Sequence, residues 1–228
     1  MANDAAMDFS LTQFLHELWI ARAPIVQGLG TTVVSAALAI IVGTVLGIGV
    51  GLALTYGAAP LRVVLRGYTD FIRGTPVLVL VLASYYVLGT AGVQLGPFQA
   101  GVLALAVFCS AHVGEILRGA LQAIPKGQIE ASKAIGLTFS QTFASVLMPQ
   151  AMRQILPTWV NTAAEMVKAS TLLSIIGVGD LLLASQEAIS RTFMSLPFYL
   201  VAGLLYFTIN FAIERFGRFV ETKTQLPS

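Results

Sequence analysis

Asn161, Glu165 and Lys168 recur at steps of four and three, the spacing that places them on one helix face, within a stretch that is otherwise largely apolar. An acid and a base one turn apart neutralise each other, which lowers the cost of keeping both in hydrocarbon. Intramembrane charges also mark solute paths, so the stripe Asn161, Glu165 and Lys168, leading toward Ser170 and Thr171, is a candidate path. A second constellation is Glu130-Ala131 followed by Gly136. Around it Ile129, Ala131, Ala134, Ile135, Phe139, Phe143 and Ala144 return at three- and four-residue steps, with Glu130, Lys133, Ser140 and Gln141 supplying polar positions. This pattern predicts short amphipathic helices with a break near Gly136. Such a segment either lies on a membrane surface or docks a soluble partner. Ala131 and Gly136 are small and favour the close approach of a partner over lipid insertion.

Groups for other chemistries are sparse. His16 and His112 are the only histidines and fall on opposite sides of the expected topology, leaving no H-E-x-x-H or carboxylate–histidine cluster. The single cysteine, Cys109, allows neither a disulfide framework nor a thiolate metal set within one chain and reads as a buried small side chain. No G-x-x-x-x-G-K-[ST] sequence is present to cradle a nucleotide's phosphates.

The elements that must carry these residues are membrane spans. Of 228 residues, 56% are hydrophobic and only 11% charged, with a mean hydropathy of +0.81; soluble domains carry about 25% charged residues. The N-terminal stretch has acids before its first arginine and does not read as a cleaved signal peptide. Apolar runs at 26–56 and 192–213 are each long enough to cross, since about twenty residues suffice. The uncharged block 74–114 is too long for one helix and is interrupted by glycines and a proline at 89–101, so it makes two crossings. The stretch 148–176 contains Arg153, Glu165, Lys168, Pro149 and Pro157. Counting it as a fifth crossing puts Arg62, Arg66, Arg118, Lys126, Lys133, Arg215, Arg218 and Lys223 on one side, with Arg22 and Arg191 opposite. The positive-inside bias then predicts an external N-terminus and a cytoplasmic C-terminus.

Three further features belong to these spans. Gly43, Gly47 and Gly51 form successive G-x-x-x-G steps that permit close helix packing. Arg73, Thr75 and Pro76 belong to Arg-Gly-Thr-Pro, which reads as a helix start with Pro76 in an early helical position and Thr75 as its cap. Arg73 either snorkels to the cytoplasmic interface or orders a gate beneath the path. Tyr85 and Tyr86 follow, one of them able to face that path.

The segment 126–151 resembles the coupling region of importer-type ATP-binding-cassette permeases, usually spelled EAA followed by a glycine; here it is EAS with the glycine at its expected distance. GLGTTVVSAALAIIVGTVLG (28–47), FIRGTP (71–76), HVGEILRGALQAIPKGQIEASKAIG (112–136), MPQAMRQILPTWVN (148–161) and KASTLLS (168–174) resemble, in order, further blocks of the polar amino acid uptake branch. The resemblance implies an all-α integral membrane protein of the type I ABC importer permease fold, with five transmembrane helices. Its permease domain would span 25–220 with a coupling region at about 126–144, an external segment at 1–24 and a cytoplasmic tail at 221–228.

It also implies a transport subunit of the bacterial inner membrane and not an enzyme. Two cytoplasmic ATPase subunits would bind ATP and Mg and dock on Glu130, Ala131 and Gly136. A second permease, the same or a paralogue, would complete the path in the lipid bilayer, and an external solute-binding protein would deliver an amino acid. This chain would bind no cofactor, metal or nucleic acid. The implied substrate path includes Asn161, Thr162, Glu165, Lys168 and Tyr85; Thr162 stands where the family often has a glutamate able to meet an ammonium group. An uncoupled channel is the alternative, but it would leave the segment 126–143 without a task, and neither a repeated carbonyl filter nor a dense ring of like charges is visible.

Overall fold

The apolar runs become helices in which backbone polar groups satisfy one another, as a bilayer requires. The computed structural model describes residues 11–224, with side chains through Phe219. Residues 1–10 of the expected external segment and 225–228 of the expected tail lie outside the described residues, as does the side chain of Lys223. Among the described residues there are eight helical segments and no strand: α1 (Leu11–Tyr56), α2 (Ala59–Gly74), α3 (Val77–Thr90), α4 (Pro97–Ala123), α5 (Lys126–Ala134), α6 (Phe139–Ile176), α7 (Leu181–Thr192) and α8 (Ser195–Thr224).

Helices α1, α4 and α8 are each long and apolar enough to cross a membrane unaided. The pairs α2–α3 and α6–α7 are bent by 108° and 51° at short breaks; counting each pair as one broken span gives five crossings. Helix α1 differs from the expected 26–56. It runs 46 residues from Leu11 straight through Pro24, about 70 Å at 1.5 Å per residue and more than twice the hydrocarbon thickness.

Glycines on α1 let it lie directly on α4. A Cβ on Gly43 would stand 2.5 Å from Cys109 Cβ, one on Gly47 2.6 Å from Val113 Cβ, and one on Gly51 2.7 Å from the Gly114 carbonyl oxygen. These are separations no side chain survives, so the G-x-x-x-G steps create backbone-level contact, and dispersion replaces the hydrophobic drive that lipid does not supply. Cys109 is buried in this seam, as its surroundings in the sequence suggest.

At one end of the bundle the N-terminal part of α1 meets α7 and α8. Phe14 and Phe198 pack edge to face at 5.6 Å, Arg191 pairs with Glu17 at 3.2 Å, and Gly28 lies under the Asp180 carbonyl. Asp180 caps α7 by accepting from the Leu183 N–H at 2.8 Å, while the Thr32 hydroxyl oxygen accepts from the Leu181 N–H at 3.1 Å and fastens that turn to α1. The opposite end holds Tyr56, the foot of α4, α5 and the start of α6. Arg118, Lys126, Lys133 and Arg153 belong to that second end and Arg22 and Arg191 to the first, the segregation expected from sequence.

Candidate functional site

The segment expected to dock a partner begins where α4 stops. Ile124 and Pro125 are extended, and the Pro125 carbonyl accepts the first N–H of the next turn, from Gln128, at 3.0 Å. Helix α5 is oriented by its apolar side: half-buried Ile129 joins the cluster of Leu117, Leu121, Ile124, Leu147 and Ile155, and Ser132 is buried with its hydroxyl donating to the Gln128 carbonyl at 2.7 Å. The other face, carrying Glu130, Ala131, Lys133 and Ala134, is exposed.

The expected break is at Gly136, in the left-handed region at φ +82°. Its N–H bonds the Lys133 carbonyl and the Leu137 N–H bonds the Ser132 carbonyl, each at 3.0 Å. This is a Schellman closure that satisfies the helix's last carbonyls, and a side chain at Gly136 would cost about 1–2 kcal/mol in backbone strain alone. Nothing stands within 4 Å of where its Cβ would point. The chain restarts at once: the Thr138 hydroxyl accepts from the Gln141 N–H, and Gln141 Oε1 accepts from the Thr138 N–H at 2.9 Å. This capping box was readable as Thr-x-x-Gln, although the apolar periodicity alone did not reveal it.

The turn between α2 and α3 differs from the expected helix start. The Thr75 hydroxyl donates back to the Phe71 carbonyl in α2, at 2.7 Å, and does not cap α3. Pro76 precedes α3, accepting from the Val79 and Leu80 N–H groups through its carbonyl, because its ψ of 135° is extended. Arg73 is not at the basic end either. Its neighbour Ile72 is buried against Phe108 and Cys109, midway along α4, so the 108° break and the exposed Arg73 lie at mid-bundle depth.

Farther along α3 a wide turn at Ala83–Val87 brings half-buried Tyr85 against the cluster of Val81, Leu105 and Leu173, while Tyr86 is 57% exposed. Their rings meet edge to face at 4.9 Å. Ser84 secures the turn, with the Val81 and Ala100 carbonyls both 2.8 Å from its hydroxyl.

On α6, Asn161, Glu165 and Lys168 are all exposed on one face, as their spacing requires. Their partners differ from expectation. Among the described residues Glu165 and Lys168 form no ion pair within 4 Å. Lys168 borders a cleft of about 340 Å³ between α6 and α8 with Tyr206, Asn210 and Glu214. Asn161 borders another, of about 310 Å³, with Glu214 and Arg218. Glu165 lines neither. Thr162 is buried, its hydroxyl donating to the Thr158 carbonyl at 3.1 Å, and does not share the open face. Trp159 ties this helix to α1 through a hydrogen bond from its indole N–H to the Thr44 hydroxyl at 2.9 Å.

Comparison with known proteins agrees with this architecture. Residues 43–226 match the family model described as binding-protein-dependent transport system inner membrane component. The arginine transport system permease protein ArtQ of Bacillus subtilis is 32% identical, over 95% of this chain and 97% of that one. The histidine/lysine/arginine/ornithine transport system permease protein HisQ of Salmonella typhimurium is 36% identical over 75% of this chain and 78% of its own length. The crystal structure of an amino acid ABC transporter with histidines superposes with a TM-score of 0.84 at 30% identity, covering 98% of this chain and 100% of that one. The chain belongs to the family of binding-protein-dependent transport system inner membrane components: it is a multi-pass permease subunit of the ATP-binding-cassette importer type, a transport component and not an enzyme.

Proposed function

We propose that this chain forms the translocation path of an ATP-driven amino acid importer and receives the ATPase stroke at α5. The observation that carries the reading is the docking element. A nine-residue helix is anchored by Ile129 and Ser132, ends in the left-handed Gly136, and presents Glu130 and Ala131 outward at the basic end of the bundle. Two ATPase subunits, which hold ATP and Mg, dock there, one on each of two permease subunits that are identical or paralogous. A solute-binding protein approaches the opposite end. The N-terminus is external and the C-terminus cytoplasmic, as the basic residues favour, and residues 25–220 form the permease unit.

Amino acid as the substrate class is supported by the names of the relatives, among them permeases of arginine, glutamine and histidine systems. Asn161, Glu165 and Lys168 line the path from α6, with Arg73 facing it from the α2–α3 break and Tyr85 from the wide turn in α3. An exposed arginine and an exposed glutamate at mid-bundle depth are tolerable only beside water or an opposite charge, and a zwitterionic solute in a wet path offers both. Thr162, buried behind that face with its hydroxyl on the Thr158 carbonyl, supports the path without lining it.

Purification of the intact complex from its native membrane, with its subunits and bound ligand identified, tests the proposal. The expected result is an ABC ATPase, a second permease and an amino acid. A chain that conducts solute with no ATPase bound contradicts it. Reporters at Gln94 and after Leu226 are expected on opposite sides, external and cytoplasmic respectively, and finding both on one side rejects the orientation.

A further inference from the structure

The docking helix α5 is joined covalently to α4 and to α6, and the first turn of α6, which flanks it, meets the end of α1 through rings. Tyr56, the last residue of α1, packs edge to face on Phe139 at 5.2 Å and 81° and on Phe143 at 6.1 Å and 79°. Phe139 and Phe143 stack on each other at 6.2 Å and 27°. Phe143 also reaches inward to the cluster of Leu117, Leu121 and Leu147, to which α1 contributes Leu52. Directly above, α6 widens into a loose turn at Phe143–Leu147, a form that concentrates where helices yield. Tyr56 is 45% exposed and Phe139 64%, so the triad sits at the rim of the bundle and not in its core.

We propose that Tyr56 is a positioning residue that passes movement of the docking element to α1. This inference rests on the reading of α5 and its flank as the ATPase-docking site. Three rings in mutual contact resist shear because the edge-to-face pairs lose contact on both sides when any ring moves. On the other side of Tyr56, Gly43, Gly47 and Gly51 lock α1 to α4 at backbone level. A push on Phe139 therefore moves α1 and α4 as one body, while the wide turn in α6 absorbs the difference. Without the Tyr56 ring the stroke would enter that body only through the Ile124–Pro125 joint at the foot of α4.

The test uses the full importer reconstituted in vesicles with its ATPase and binding protein. For Tyr56→Ala, the ATPase is expected to co-purify as with the wild-type chain and basal hydrolysis to persist. Stimulation by the loaded binding protein and uptake both fall about tenfold. Tyr56→Phe keeps the ring and is expected to restore both. Phe139→Ala should show the same loss, and the Tyr56→Ala/Phe139→Ala double variant should lose no more than the worse single one, as expected for residues acting through one contact. Wild-type stimulation in Tyr56→Ala, failure of Tyr56→Phe, or additive losses in the double variant would overturn the link. So would loss of the ATPase from Tyr56→Ala alone, which would make the ring a support of the docking surface only. Absence of any ATPase on the wild-type chain would instead overturn the docking reading itself.

Discussion

The seam between α1 and α4 and the outward face of α6 are both helical surfaces within the membrane, and they are finished to different degrees. In the seam, Gly43, Gly47 and Gly51 meet α4 at atom-to-atom contact and nothing remains to be paired. On α6, Asn161, Glu165 and Lys168 stand exposed with no ion pair between the two charges. Hydrocarbon does not tolerate the second arrangement. The seam is therefore complete within one chain, whereas the α6 face is completed by water, solute or a second subunit. The docking element shares that open character: Ile135 is 76% exposed beside a helix whose other face is well packed.

Disturbing the seam should have the largest effect. Gly47→Leu is expected to cost about 3 kcal/mol or more, because the first added carbon already overlaps Val113 and the Ser110 carbonyl. The measurement is the melting temperature of the purified chain in detergent. Gly30→Ala and Gly49→Ala, at positions with open space around the missing side chain, should melt within a few degrees of wild type. A Gly47→Leu protein as stable as wild type would mean that the seam does not hold the bundle.

At the docking element the expected loss is functional. Gly136→Trp should insert normally and lose about 1–2 kcal/mol of stability from the left-handed backbone, yet show little ATP hydrolysis stimulated by transport. Gly136→Asn, which tolerates that conformation better, should retain much of the coupling. Equal coupling in Gly136→Trp and wild type would remove the steric requirement for a close partner.

Five spans, the glycine seam and the break at Gly136 were legible in the sequence because each depends on local spacing or on one residue's special freedom. The continuation of α1 back to Leu11 was not, since polar residues such as Gln13, His16 and Glu17 end a hydropathy run without ending a helix. A new helix after Arg-Gly-Thr-Pro was legible, but not the 108° bend there or its depth, which is set by Ile72 packing on Phe108 and Cys109, far away in sequence. Spacing correctly placed Asn161, Glu165 and Lys168 on one face. It could not show that the two charges stay unpaired, with Lys168 on a cleft that Glu214 of α8 also lines, because rotamers answer to neighbouring helices.

With no pair between them, Glu165→Gln and Lys168→Met should each reduce uptake about tenfold, the scale of losing one charged hydrogen bond, and their losses should add in the double variant with assembly unchanged. Recovery in the double variant would re-establish the pair and make this face as self-contained as the seam. The smallest expected effect is at the capping box, where Thr138→Ala should cost about 1 kcal/mol of local helix stability. It should leave uptake nearly unchanged; hydrogen exchange at 139–143 is the readout, and unaltered exchange would show that the cap contributes nothing there.

The central claim, that the free face of α5 is completed by an ATPase, is tested most directly by thiol labelling. The chain's one natural cysteine, Cys109, is buried, so Ala131→Cys supplies a single accessible thiol on that face. Rapid maleimide modification of Ala131→Cys is expected in the isolated permease and protection once the partner ATPase is bound, with Thr90→Cys, exposed at the end of α3, labelled equally in both. Equal labelling of Ala131→Cys with and without bound ATPase would contradict it.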